Sequence, residues 1–123
     1  MAIHYNLAKV FERTNSDAIL IKKEIQTFVF DIPNQIKNLL LSIKNKQYLM
    51  ALYTAKKIKP SLELMGMTIA YNEIIEVERW AEKQGKRREI AATVESIKCQ
   101  IEKATKEMNK EYKIFETLKS IKI

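Results

Sequence analysis

The chain has 123 residues, with two glycines, two prolines, a single cysteine and a formal net charge of +7. Average usage would supply about fourteen glycines and prolines, so many short strands joined by tight turns are excluded in favour of long helices with short connections. Hydrophobic residues at 46% and charged residues at 30% exclude a disordered chain and suit one globular domain over 1–123.

The first apolar group, Leu7, Val10 and Phe11, has helical spacing and predicts a short helix between His4 and Arg13. Thr14-Asn15-Ser16-Asp17 is a cluster of turn and N-cap residues. From there Ile21, Ile25, Phe28, Val29, Ile32, Ile36, Leu39, Leu40 and Ile43 recur at steps of three, four and one, the mark of one broad buried stripe. Pro33 removes a backbone donor and crowds the carbonyl of Val29. The apolar phase continues through it, which predicts one kinked helix rather than two.

Lys44-Asn45-Lys46 breaks the pattern, and a helix follows from near Gln47. Its buried face is expected at Leu49, Leu52, Ala55, Leu62 and Met65, with Tyr48 and Ile58 beside it. Positions 52, 56, 59 and 63 form a neighbouring stripe, because residues three and four apart stack on one side, which predicts Lys56, Lys59 and Glu63 to be adjacent and exposed. Gly66 ends this helix and Thr68 caps the next, which runs to about residue 83 with Ala70, Ile74, Val77 and Ala81 inward. Glu73, Glu76, Glu78 and Glu82 read as a solvated face of that helix. Met50, Met65, Met67 and Met108 read as core filler, and Trp80 as a packing anchor. After the stop Lys83-Gln84-Gly85-Lys86, the last helix is expected from Arg88 to Lys119. Ile90, Val94, Ile97, Ile101, Ala104, Met108, Tyr112, Phe115 and Leu118 are in step along it. Such a helix would span roughly 48 Å. The fold class is therefore all-α: an antiparallel up-and-down four-helix bundle with a short N-terminal helix and a long C-terminal one.

No apolar run approaches the ~20 residues that cross a membrane, so no membrane insertion is expected. The N-terminus lacks a basic start followed by an apolar block, so no secretory signal is expected. The lone Cys99 fits a reducing compartment, and the cytoplasm is the expected location. Neither a metal site nor a nucleophilic triad fits one histidine, His4, and one cysteine far from it in sequence. No glycine-rich phosphate loop is present, and no cofactor is expected.

Charge is unevenly spread. Residues 1–60 hold 10 Lys and Arg against 4 Asp and Glu, whereas residues 61–123 hold 12 against 11. Lys37, Lys44, Lys46, Lys56, Lys57 and Lys59 fall between Asp31 and Glu63 with no intervening carboxylate. Such a block steers an acidic partner to the middle of the chain. One function class that fits is a basic helical adaptor for nucleic acid or an acidic protein. Nucleic acid is disfavoured within that class, because the block has few aromatics for stacking. The long last helix also allows a dimer through 88–119, although a bundle core accounts for the same stripe and favours a monomer.

Ala55-Lys56-Lys57-Ile58-Lys59-Pro60-Ser61-Leu62-Glu63-Leu64-Met65-Gly66-Met67 resembles the signature of histidine-phosphotransfer (HPt) domains of two-component phosphorelays. In that family an alanine precedes the phospho-accepting histidine, with a lysine at plus three and a glycine at plus ten. Lys59 and Gly66 stand at those offsets from position 56. Phe30-Asp31-Ile32-Pro33 ahead of the site helix and Val77-Glu78 after it extend the resemblance over most of the chain. The resemblance implies a phosphorelay module that docks a response-regulator receiver domain or a hybrid histidine kinase and has no catalytic machinery of its own. The docking positions it implies are Lys56, Lys57, Lys59, Pro60, Glu63 and Gly66.

The chain departs from the family at the acceptor, where Lys56 replaces histidine, and at plus four, where Pro60 replaces the usual glycine. Imidazole offers a neutral nitrogen at cytoplasmic pH, whereas only about one free lysine in 2,500 is unprotonated at pH 7. The expectation is a module that docks receivers through Lys56 and Lys59 without carrying phosphate.

Overall fold

Asp17 illustrates how local chemistry sets the helix boundaries. Its carboxylate accepts from the backbone N–H of Ile19 at 2.9 Å and of Leu20 at 3.1 Å, satisfying donors that a helix start leaves free. The computed structural model describes residues 4–113. It contains five helices: α1 (Ala8–Arg13), α2 (Ala18–Lys44), α3 (Tyr48–Leu64), α4 (Thr68–Glu82) and α5 (Arg87–Tyr112). No strand occurs among the described residues. α2 packs against α3 and α5, and α4 packs against the same two helices.

The stripes expected in the longest helices are buried. Ile21, Ile25, Phe28, Val29, Ile32, Ile36, Leu39 and Ile43 of α2 meet Ile90, Val94, Ile97, Ile101, Ala104 and Met108 of α5 in one core. Leu40 is half-buried. α2 runs unbroken through Pro33, and Asn34 Nδ2 donates to the carbonyl of Phe30 at 3.2 Å, adding a bond where the ring disturbs the ladder. α5 stops at Tyr112, where Lys113 turns left-handed at φ 53, rather than at Lys119. Phe115, Leu118 and the remainder of the expected 88–119 seam lie outside the described residues.

Several expectations are corrected. α3 presents a rotated face: Ala51, Thr54, Ala55, Ile58 and Leu62 are buried, Leu52 is half-buried, and Leu49 is 84% exposed. Apolar residues surround most of this helix, so two phases fit its sequence, and the neighbours select the one with small residues inward. Met50 is exposed and is no core filler. Thr68 is the first residue of α4 and makes no cap; Met67 holds the cap position. Glu78 leaves the solvated face and is buried. Phe11 is exposed. Trp80 is the anchor expected of it: it lies beneath Gly85, its ring 5.2 Å from Tyr48, with Nε1 donating to the Lys86 carbonyl at 2.9 Å.

The segment before α1 is fastened to α5. His4 Nδ1 lies 2.6 Å from Glu107 Oε1, and the Tyr5 hydroxyl donates to Glu111 Oε2 at 2.7 Å. Burial first, then the Glu111 hydrogen bond, push the Tyr5 phenol above its ordinary value of 10.0. Burial and Glu111 raise Tyr112 as well. The folded state therefore holds protons that the unfolded chain releases, and this stability, complete below about pH 10, is lost as pH rises through the raised values. Tyr5→Phe is expected to cost roughly 1 kcal/mol at pH 7 and to flatten the alkaline decline between pH 10 and 12 in urea titrations. An unchanged alkaline limb would refute this role for Tyr5.

Candidate functional site

The expected site residues separate into three groups. Lys56, Lys57 and Pro60 are exposed on the outward side of α3. Residues 49, 53, 56 and 60 follow one another at steps of three and four, so they share a face. Tyr53 on this face is 59% exposed, and Lys57 Nζ sits 5.2 Å from its ring centroid, within the range of a cation–π contact. Among the described residues no carboxylate pairs with Lys56 or Lys57. This face is cationic and partly aromatic, with no internal counter-charge.

Lys59 turns the other way. Its Nζ donates to both carboxylate oxygens of Glu78 on α4, at 3.0 and 3.2 Å. The Glu78 side chain is 9% exposed and that of Lys59 is 32% exposed. The hydrogen bond to Glu78 raises the Lys59 pKa above its ordinary 10.5, against the opposing effect of burial. A buried carboxylate needs such a partner, because an unpaired charge in the interior is costly. Lys59 is thus a clamp between α3 and α4. The Val77-Glu78 pair singled out in the sequence supplies the other half.

Glu63 and Gly66 belong to a third place, the junction with the N-terminal segment. Lys9 Nζ donates to Glu63 Oε1 at 3.3 Å, an exposed pair. Gly66 adopts φ +63, and a Cβ there would stand 2.6 Å from the Asn6 carbonyl oxygen. The Asn6 N–H donates to the Met65 carbonyl at 2.9 Å. Asn6, Lys9, Glu63, Gly66 and Tyr71 line part of an open cleft of about 390 Å³. The glycine is required by this close approach of backbone to backbone.

No protein-family model, curated protein or solved structure matches the chain. The chemistry of the site therefore rests on its own geometry. Lys56 has no histidine or carboxylate hydrogen-bonded to it among the described residues, so none of those residues is placed to take its proton and make it a nucleophile. Among the described residues no group of three or more His, Cys, Asp or Glu could hold a metal ion. The face can offer fixed positive charge and an aromatic edge to another surface. Sequence reasoning missed Glu78 as the partner of Lys59 and Tyr53 as the ring beside Lys57. The spacing of four between Tyr53 and Lys57 was a usable signal; the pairing of Lys59 with Glu78, 19 residues apart, had none.

Proposed function

We propose that the chain is an HPt-like signalling module, an antiparallel up-and-down four-helix bundle that docks receiver domains and carries no phosphate of its own. The bundle topology is supported by bonds between helix ends: Arg87 Nη1 to the Lys44 carbonyl at 3.1 Å, and the Tyr48 hydroxyl to the Gly85 carbonyl at 2.9 Å. The opposite ends are joined by the bond from Asn6 to Met65.

The observation that carries the functional reading is the outward, unpaired Lys56 beside Lys57 and Tyr53, while Lys59 is held inward by Glu78. A receiver's phosphorylation pocket is acidic, and a fixed cation set opposite it favours encounter and register. Lysine in place of histidine supplies that cation and withholds the acceptor nitrogen. In this reading the docking cations are Lys56 and Lys57, and Lys59 acts by holding α3 in place.

The test uses phosphorylated receiver domains from the source organism. The unmodified protein is expected to bind a receiver without taking label, and Lys56→His is expected to gain acid-labile label. Lys56→Glu combined with Lys57→Glu is expected to weaken binding at least tenfold, mainly through association rate. Label on the unmodified protein would overturn the inactive-acceptor reading. Failure to bind any receiver, with no label on Lys56→His, would overturn the docking reading.

A further inference from the structure

The fold gathers a second cationic surface, at the end of the molecule where α2 meets α3 and α4 meets α5. Lys44 and Lys46 come from the first connection, and Lys83, Lys86, Arg87 and Arg88 from the second. The bonds Arg87–Lys44 and Tyr48–Gly85 bring the two connections together across about forty residues of sequence. All six cations are exposed. Residues 41–50 and 82–89 contain two carboxylates, Glu82 and Glu89, and Glu89 is occupied by the Lys86 backbone N–H at 2.6 Å.

Helix electrostatics accounts for only part of this cluster. Lys44 and Lys83 suit the negative C-terminal ends of α2 and α4. Lys86, Arg87 and Arg88 stand at the N-terminal end of α5, where the helix dipole disfavours positive charge. They are present against that local preference. Aliphatic side chains accompany them: Leu49 is 84% exposed, Leu41 56% and Met50 52%, all within two turns of the Lys44–Lys46 connection.

We propose that this end of the bundle docks on an anionic lipid bilayer. The cations would face the headgroup charges, and Leu41, Leu49 and Met50 would enter the interfacial layer. Each Lys or Arg near a negatively charged leaflet adds favourable energy, and apolar side chains supply the second signal that stable attachment requires. The aliphatic character of the exposed residues decides the occupant. Single-stranded nucleic acid would call for aromatic faces on which bases stack, and a hydrated phosphate backbone gives Leu49 nowhere to be buried. No helix among the described residues is long and apolar enough to cross a membrane, so the attachment is to the surface. It adjoins the receiver-docking face, since Leu49 lies on the Lys56 side of α3 two turns away, but none of its six cations belongs to that face.

The test is co-sedimentation of the full chain with phosphatidylcholine vesicles, with and without phosphatidylserine. Binding is expected only with phosphatidylserine and is expected to weaken with salt. Lys46→Gln with Arg88→Gln removes two exposed cations and is expected to reduce partitioning about thirtyfold. Leu49→Ser is expected to reduce it about tenfold with an unchanged melting temperature. No binding to phosphatidylserine vesicles, or binding that either variant leaves intact, would overturn the proposal. Salt-dependent binding to duplex DNA or RNA without vesicle binding would assign this end to nucleic acid instead.

Discussion

Lys59→Met is expected to destabilise the protein by about 2 kcal/mol at pH 7, read as a fall in melting temperature of roughly 6–10 °C. The substitution leaves the Glu78 carboxylate, 9% exposed, without the ammonium that meets both of its oxygens. Removing one partner of a fully buried pair costs about 3–5 kcal/mol; the value here is set lower because a third of Lys59 reaches solvent and water can enter after it. The reverse change is milder. Glu78→Leu lets Lys59 swing out to water and is expected to cost under about 1 kcal/mol. The double variant should recover most of the loss, since two apolar side chains of similar volume leave no charge behind.

The pH dependence separates this ion pair from simple packing. Lys59 titrates above its ordinary 10.5 in the folded state, so its contribution is complete below that pH and disappears as pH rises through the raised value. The stability gap between the native protein and Lys59→Met should close above about pH 10.5. A gap that stays constant to pH 12 would assign the effect to the lysine's methylene packing.

Gly66→Ala carries the second large effect, expected at about 2–4 kcal/mol. Two costs combine. A left-handed φ of +63 disfavours any Cβ by roughly 1 kcal/mol. The added carbon would also stand 2.6 Å from the Asn6 carbonyl oxygen and 3.1 Å from its nitrogen, both backbone atoms that cannot rotate away. Relief requires the N-terminal segment to lift off α3, breaking the bond from Asn6 to Met65. Gly66→Asn tests the division, because asparagine tolerates positive φ but brings the same Cβ. It is expected to be nearly as damaging as alanine. If Gly66→Asn melts with the native protein, the close approach to Asn6 is not what the glycine serves.

Both predictions concern residues that the sequence motif marked, and both give them roles inside the fold. Lys59 and Gly66 stand at the motif's offsets, yet one clamps α4 and the other admits the N-terminal segment. Lys56, Lys57 and Pro60 remain outward with Tyr53 beside them, while the exposed Glu63 is paired with Lys9. The geometry thus narrows the proposed docking face to the part of the motif that has no internal partner.

The sequence by itself determined the all-α class, the helix boundaries to within a few residues except at the end of α5, and the buried faces of the longest helices. Local rules suffice there: Asp17 caps α2, Gly66 ends α3, and the stripes of Ile21 to Ile43 and Ile90 to Met108 each have one apolar phase. The tertiary structure alone decided which side of α3 faces inward, that Glu78 is buried against Lys59, and that two distant basic connections form one surface. Periodicity specifies which residues share a face but not which face meets a neighbour when apolar residues lie on several sides, as Leu49, Met50 and Tyr53 do opposite Ala51, Ala55 and Ile58. Pairings such as Lys59 with Glu78, or Arg87 with Lys44, depend on how helices 19 and 43 residues apart come to lie together, and no short-range pattern encodes that.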